Sequence, residues 1–266
     1  DRAKDQKGSL KALERWKVPG RNFVYAEVEG NIGWIAAART PVREKHDGLL
    51  PVPGREGHEW RGHLSVADYP QRFNPKEGWI ATANHNILPP GYPHTLGYEW
   101  APPDRYQRIL TVLRAQDSRK FSVEDFARLQ HDTVSGPAQR LIGLLTQIQA
   151  DGRAAERIDA TLRPWVDRLV RWEADLSKDS AEAALYELWR NELPAAVFQP
   201  KLSEPVWKLV GSFVDPERAV DALQAVEPRW FGAGEAGRAA RDAALFAALG
   251  AALKKAEERL GTDPAR

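Results

Sequence analysis

Apolar positions along the chain change their spacing as it proceeds, and the changes divide it into distinct textures. After a charged start, residues 9–16 have the pattern of a short helix that must stop before Val18-Pro19-Gly20. Residues 23–28 and 32–37 are rich in β-branched and aromatic side chains, and between them stands Glu29-Gly30-Asn31. Gly and Asn tolerate the positive φ of a tight reversal, so this stretch predicts a β-hairpin. From 40 to 74 the regular pattern is lost, and Pro41, Pro51, Pro53, Gly54, Gly57 and Gly62 punctuate a long loop around Trp60. Residues 78–83 predict a short buried strand that delivers Asn84 at its end, and a second Pro/Gly loop fills 88–103.

Beyond Asp104 the period becomes helical. Tyr106, Ile109, Leu110 and Leu113 fall on one face, Ser122 with Asp125 forms a capping box for a helix ending near His131, and Leu141, Leu144, Leu145 and Ile148 mark another helix. Ser180 precedes a helical run over 181–189, Asp215-Pro216 reads as a cap followed by Pro at the first helical position, and a last helix over 237–260 is stopped by Gly261. The pattern predicts an α+β protein with a β-rich part over 1–103 and a predominantly helical part over 104–266.

Composition narrows the possible chemistry. Lys plus Arg number 38 against 37 Asp plus Glu, a formal charge of +1, which supplies no broad field for nucleic acid. The chain has no Cys, which removes disulfides, thiolate metal sites and a thiol nucleophile. Its longest near-apolar stretch, 243–253, is too short to span a membrane. Residues 1–7 lack the apolar centre of a secretory signal, and no Met occurs anywhere, so the expectation is a processed chain or an internal fragment.

Three histidines, His46, His58 and His63, share a loop with Asp47, Glu56 and Glu59, but their spacing matches no standard zinc pattern and ordinary loop histidines are the better reading. No Gly-x-Ser-x-Gly elbow, phosphate-binding loop or dinucleotide fingerprint occurs. Most of the ten tryptophans, such as Trp165, Trp172, Trp189 and Trp207, lie in helical patterns where core packing explains them. Asn84 stands out as a carboxamide at a predicted strand end. A neutral donor there suits an oxyanion hole, because it stabilises charge developing on a carbonyl oxygen without itself moving a proton. The competing reading is a turn-forming Asn in Asn84-His85-Asn86. Arg105, after Pro102-Pro103-Asp104, reads equally as a surface residue paired with Asp104.

A connected string of motifs then becomes recognisable. Asn22-Phe23-Val24-Tyr25-Ala26-Glu27, Gly30-Asn31-Ile32-Gly33, Leu50-Pro51-Val52-Pro53-Gly54, Glu59-Trp60-Arg61-Gly62, Asn74-Pro75, Gly78-Trp79-Ile80-Ala81-Thr82-Ala83-Asn84 and Asp104-Arg105 follow in this order. The succession resembles the β-chain of the penicillin acylase family, N-terminal nucleophile hydrolases that cut amide bonds. The similarity continues more weakly through Asp179-Ser180-Ala181-Glu182-Ala183-Ala184-Leu185-Tyr186 and on to Gly261-Thr262-Asp263-Pro264.

The resemblance implies an αββα sandwich with a large helical insertion, a bacterial periplasmic or extracellular zymogen, and an α-chain partner from the same precursor. It implies acyl transfer from an amide to an N-terminal serine that also supplies the general base through its own amine. No Ser here matches that position, so the nucleophile is expected outside this chain. Candidate substrates are β-lactam side-chain amides, N-acyl homoserine lactones or lipopeptides, and the substrate-binding residues stay unassigned. Carried over by position, Asn84 is the oxyanion-hole asparagine and Arg105 the active-site arginine. No cofactor is required for the chemistry. A structural calcium is implied only through the backbone carbonyl of Gly48, while Leu96 stands where the family offers a carboxylate. The rival expectations are a non-catalytic ligand-binding module gripping its ligand around Trp60, and a degenerate, inactive family member.

Overall fold

A computed structural model describes residues 2–55, 57–115 and 120–261. Two compact units divide the chain, Asp1–Arg119 and Lys120–Arg266. Asp1, Glu56 of the histidine-bearing loop, and the Thr262-Asp263-Pro264 end of the resemblance lie outside the described residues.

The first unit opens with α1 (Gln6–Leu13), earlier than the apolar spacing predicts, because Asp5 acts as its cap and accepts from Gly8 N at 2.7 Å. Trp16 falls beyond the helix and donates its indole N–H to the Pro19 carbonyl at 2.7 Å. The expected hairpin forms from β1 (Arg21–Ala26) and β2 (Ile32–Ala37), antiparallel, with Ala26 opposite Ile32 and Phe23 opposite Ile35. Its reversal uses Gly30 at φ +87°. Gly33, opposite Tyr25, leaves room for that ring to lie across the strand: a Cβ on Gly33 would come within 2.1 Å of Tyr25 Cζ. Ile35, Ala37 and Tyr69 form a small buried cluster against which Leu10, Phe23 and Leu96 pack.

The third strand is not the one predicted. Residues 78–83 form no strand; Gly78 N bonds locally to the Pro75 carbonyl at 2.9 Å, and no described strand lies alongside to supply a ladder. Instead β3 (Gln71–Phe73), inside the stretch expected to be loop, pairs antiparallel with Gly33, Trp34 and Ile35 of β2. Asn74 ends that strand at φ +45°, with its side-chain oxygen accepting from Ile32 N at 2.9 Å and its amide donating to Asn31 Oδ1 at 2.7 Å. The last element of the unit is α2 (Asp104–Arg114).

The second unit is helical: α3 (Val123–Gln130), α4 (Gly136–Ala150), α5 (Gly152–Ala155), α6 (Arg163–Arg171), α7 (Ala181–Phe198), α8 (Glu204–Val210), α9 (Pro216–Ala225), α10 (Pro228–Phe231) and α11 (Gly234–Leu260). The caps legible in the sequence operate. Ser122 and Asp125 close a reciprocal box, while Ser180 and Asp215 accept from Ala183 N and Glu217 N. One continuous core joins Leu141, Leu145, Val166, Leu185, Leu193 and Leu249. Trp189 is buried within it and donates its indole N–H to the Leu245 carbonyl at 3.1 Å, and Trp165, Trp172 and Trp207 pack against the core as the helical spacing predicts. Glu217 is buried between two guanidinium groups, Arg140 at 2.7 Å and Arg190 at 3.0 Å, which compensates its lost hydration.

Candidate active site

Asn84 follows the irregular 78–83 segment and holds the left-handed conformation, φ +61°, which Asn tolerates better than most side chains. Its backbone carbonyl accepts from Ala101 N at 2.8 Å, anchoring the bend to the end of the second loop. Arg105 sits in the first turn of α2, and its guanidinium reaches back to this bend. One nitrogen, Nη2, donates both to the Ala83 carbonyl at 2.8 Å and to Asn84 Oδ1 at 3.0 Å. The fold therefore brings together the two candidate residues, 21 positions apart in the chain.

This contact fixes which way the carboxamide faces. A guanidinium carries only donors, so the amide must turn its oxygen toward Arg105 and its nitrogen away. Among the described residues no acceptor meets Asn84 Nδ2, and the side chain is exposed. The result is a neutral N–H donor whose partner atom is held and whose other end is open. An arrangement of that kind can stabilise negative charge on an oxygen placed about 3 Å away. Asn86, two residues on, is used differently: its oxygen accepts from Leu88 N at 3.0 Å and closes a local turn.

Asn84 also lines a cleft of about 270 Å³ within the first unit, together with Asn22, Tyr69, Leu96 and Trp100. Neighbouring bonds hold two of these walls: Asn22 Oδ1 accepts from the Trp34 indole at 2.9 Å, and the Tyr69 hydroxyl accepts from Thr40 N at 2.8 Å. Asn22 belongs to the first of the recognisable motifs. Tyr69 and Trp100 carry no sequence signal of their own, since only the folded loops bring them beside Asn84.

The histidine-bearing loop assembles no metal centre in the described residues, where no three His, Cys, Asp or Glu side chains converge. His46 Nε2 lies 3.1 Å from the His58 carbonyl oxygen, and His63 packs edge-on against Trp60. Gly48, the residue whose carbonyl the resemblance offers to calcium, lies in the same loop. It has φ +85°, and the Arg43 guanidinium packs so closely that a Cβ on Gly48 would lie 2.8 Å from Arg43 Nε. A calcium ion wants six to eight oxygens, of which this carbonyl would be one. The adjacent Asp47 carboxylate is held by Leu49 N at 3.0 Å and by the Tyr98 hydroxyl, which keep it below the usual carboxylate range.

The penicillin amidase family model matches residues 1–266. The chain belongs to the penicillin amidase family. It is 29% identical over 280 residues to an acyl-homoserine lactone acylase, QuiP, of Pseudomonas aeruginosa, covering 98% of this chain and 32% of that relative. It is 33% identical over 188 residues to the penicillin acylase 2 proenzyme of Pseudomonas sp. strain SE83, covering 70% of this chain and 23% of the relative. The chain thus spans about a third or less of the length of these curated relatives. Among solved structures, a thermostable penicillin G acylase from Alcaligenes faecalis superposes with a TM-score of 0.73 at 19% identity, over 99% of this chain and 51% of that one. That likeness establishes the α+β fold of the family, the N-terminal nucleophile hydrolase fold that the motif string implies. No helix among the described residues of this penicillin amidase family chain is long and apolar enough to cross a membrane.

Proposed function

We propose that the chain supplies the oxyanion-stabilising part of an amidohydrolase that transfers the acyl group of an N-acyl amide to a serine outside these 266 residues, and then to water. The serine oxygen adds to the amide carbonyl, the amine leaves carrying the serine's proton, and water splits the resulting ester into the acid and the free serine. In both additions the carbonyl oxygen becomes an anion, and Asn84 Nδ2 donates to it. Arg105 acts by holding Oδ1, so that the donating end is already turned outward before charge develops.

The Arg105–Asn84 hydrogen bond is the observation that carries this reading, because a turn-forming Asn has no need of a guanidinium on its side-chain oxygen. Relatives named acyl-homoserine lactone acylase and penicillin acylase support N-acyl homoserine lactones and β-lactam side-chain amides as substrates; lipopeptides are a further candidate class. The same relationship supports synthesis as a zymogen, assembly with an α-chain from one precursor, and a periplasmic or extracellular setting in a bacterium. A structural calcium using the Gly48 carbonyl would need its other ligands from outside this chain, and no step of the chemistry uses it.

Asn84→Ala in the complete, processed enzyme tests the reading. kcat is expected to fall on the order of 10²–10³, with KM changing by only a few-fold, because the donor is worth most to the charged intermediate. Asn86→Ala, which loses only a local turn contact, should keep kcat within a few-fold. Correct processing is checked first by the presence of the mature chain. A folded, processed Asn84→Ala enzyme with near-normal kcat would leave Asn84 a structural residue and favour the binding-module or inactive-member reading.

A further inference from the structure

Arg105 is followed by Tyr106, and Asn84 by His85. These two successors also meet: the His85 and Tyr106 rings stack with centroids 3.7 Å apart and planes inclined by 14°. The bend carrying Asn84 and the first turn of α2 are therefore joined twice, once by a hydrogen bond and once, one residue further along each segment, by a parallel ring pair. Successive side chains on a helix leave it about 100° apart, so Arg105 and Tyr106 approach the bend from different directions. A single hydrogen bond leaves the bend free to pivot about the bonded atom; a second contact from another direction removes that freedom.

We propose that the stacked His85–Tyr106 pair is a positioning device for the oxyanion donor, setting the orientation in which Arg105 presents the Asn84 amide. The proposal rests on the reading of Asn84 given above. The imidazole does this as a ring and not as a proton carrier. Its Nδ1 is buried and meets no hydrogen-bond partner among the described residues. Burial also pushes its basicity below the ordinary histidine value, so the neutral form predominates near pH 7. Nothing in the motif string anticipates the pair, since His85 and Tyr106 belong to none of the matched segments.

A double-mutant cycle in the complete enzyme separates this role from a merely structural one. His85→Ala should lower kcat by about tenfold with KM little changed, less than the hundredfold that an ångström of misplacement can cost. His85→Phe, which keeps a ring to stack on Tyr106, should restore kcat to within about twofold, while His85→Leu should not. In an Asn84→Ala background, His85→Ala should have no further effect on kcat, because the group it positions is gone. If the alanine variant does not accumulate, the Phe and Leu variants carry the same comparison. Normal kcat in His85→Leu, or an equal loss with and without Asn84, overturns the positioning role. Normal kcat in Asn84→Ala alone instead overturns the oxyanion reading, and the positioning role falls with it.

Discussion

The described residues of the second unit, 120–261, close a core upon themselves. Trp189, Tyr186, Leu193, Leu245 and Leu249 are almost wholly removed from solvent, and Glu217 is buried with two arginines to answer its charge. Residues 1–119 bury far less: the fully enclosed cluster is Ile35, Ala37 and Tyr69, while Val24, Leu50, Trp60 and Phe73 remain exposed. Yet Asn84, Arg105 and the cleft beside them belong to this first, loop-rich unit. The difference follows from what each job demands. Burial favours long amphipathic helices that satisfy their own backbone, whereas presenting an unpartnered donor requires irregular backbone that leaves polar groups open.

Substitutions in the two units sharpen or break that contrast. Trp189→Ala should have the largest effect, destabilising the second unit by about 3–5 kcal/mol through lost burial and the cavity left among the helices. The measurement is the denaturant midpoint of the helical circular dichroism signal. A loss under about 1 kcal/mol would mean that the helical core is looser than its contacts indicate.

An intermediate effect is expected from alkali. Desolvation, opposed in part by a hydrogen bond to Ser135, pushes the Tyr186 hydroxyl up to about 12. The folded chain therefore holds this proton between about pH 10 and 12, where the unfolded chain releases it. Its contribution is complete below pH 10 and disappears as pH rises through 12, a difference of about 2–3 kcal/mol. Tyr186→Phe should flatten that part of the stability curve measured by urea unfolding between pH 9 and 12. An unchanged alkaline slope would show that Tyr186 is not the group responsible.

The smallest effect should come from the edge of the first unit. Phe73 lies on the outer strand, 43% exposed, and Phe73→Ser should shift stability by no more than about 0.5 kcal/mol in a thermal melt. A loss of several kcal/mol would reveal that this residue is covered in the complete protein.

Legibility in the sequence divides along a physical line. The 21–37 hairpin and the Ser122, Ser180 and Asp215 caps were readable because each depends on residues within a few positions of one another. Strand pairing is not local. Residues 78–83 have strand composition and find no neighbour among the described residues, whereas Gln71–Phe73, mostly polar and exposed, becomes a strand because β2 offers it an open edge. The candidate site shows the same division. Asn84 and Arg105 could be named singly through the family motifs, but no spacing reveals that one holds the other's oxygen or that His85 and Tyr106 stack beside them.

The bond from Arg105 to Asn84 has a consequence for what could stand at position 84. An aspartate at position 84 would suit Arg105 better, exchanging a neutral acceptor for an ion pair, and it tolerates the same left-handed backbone. It would also turn lone pairs, in place of N–H groups, toward the open side. On the proposed reading, Asn84→Asp would keep the bend and lose the outward donor. Asparagine is thus the side chain that gives the guanidinium an acceptor and still leaves an N–H facing outward.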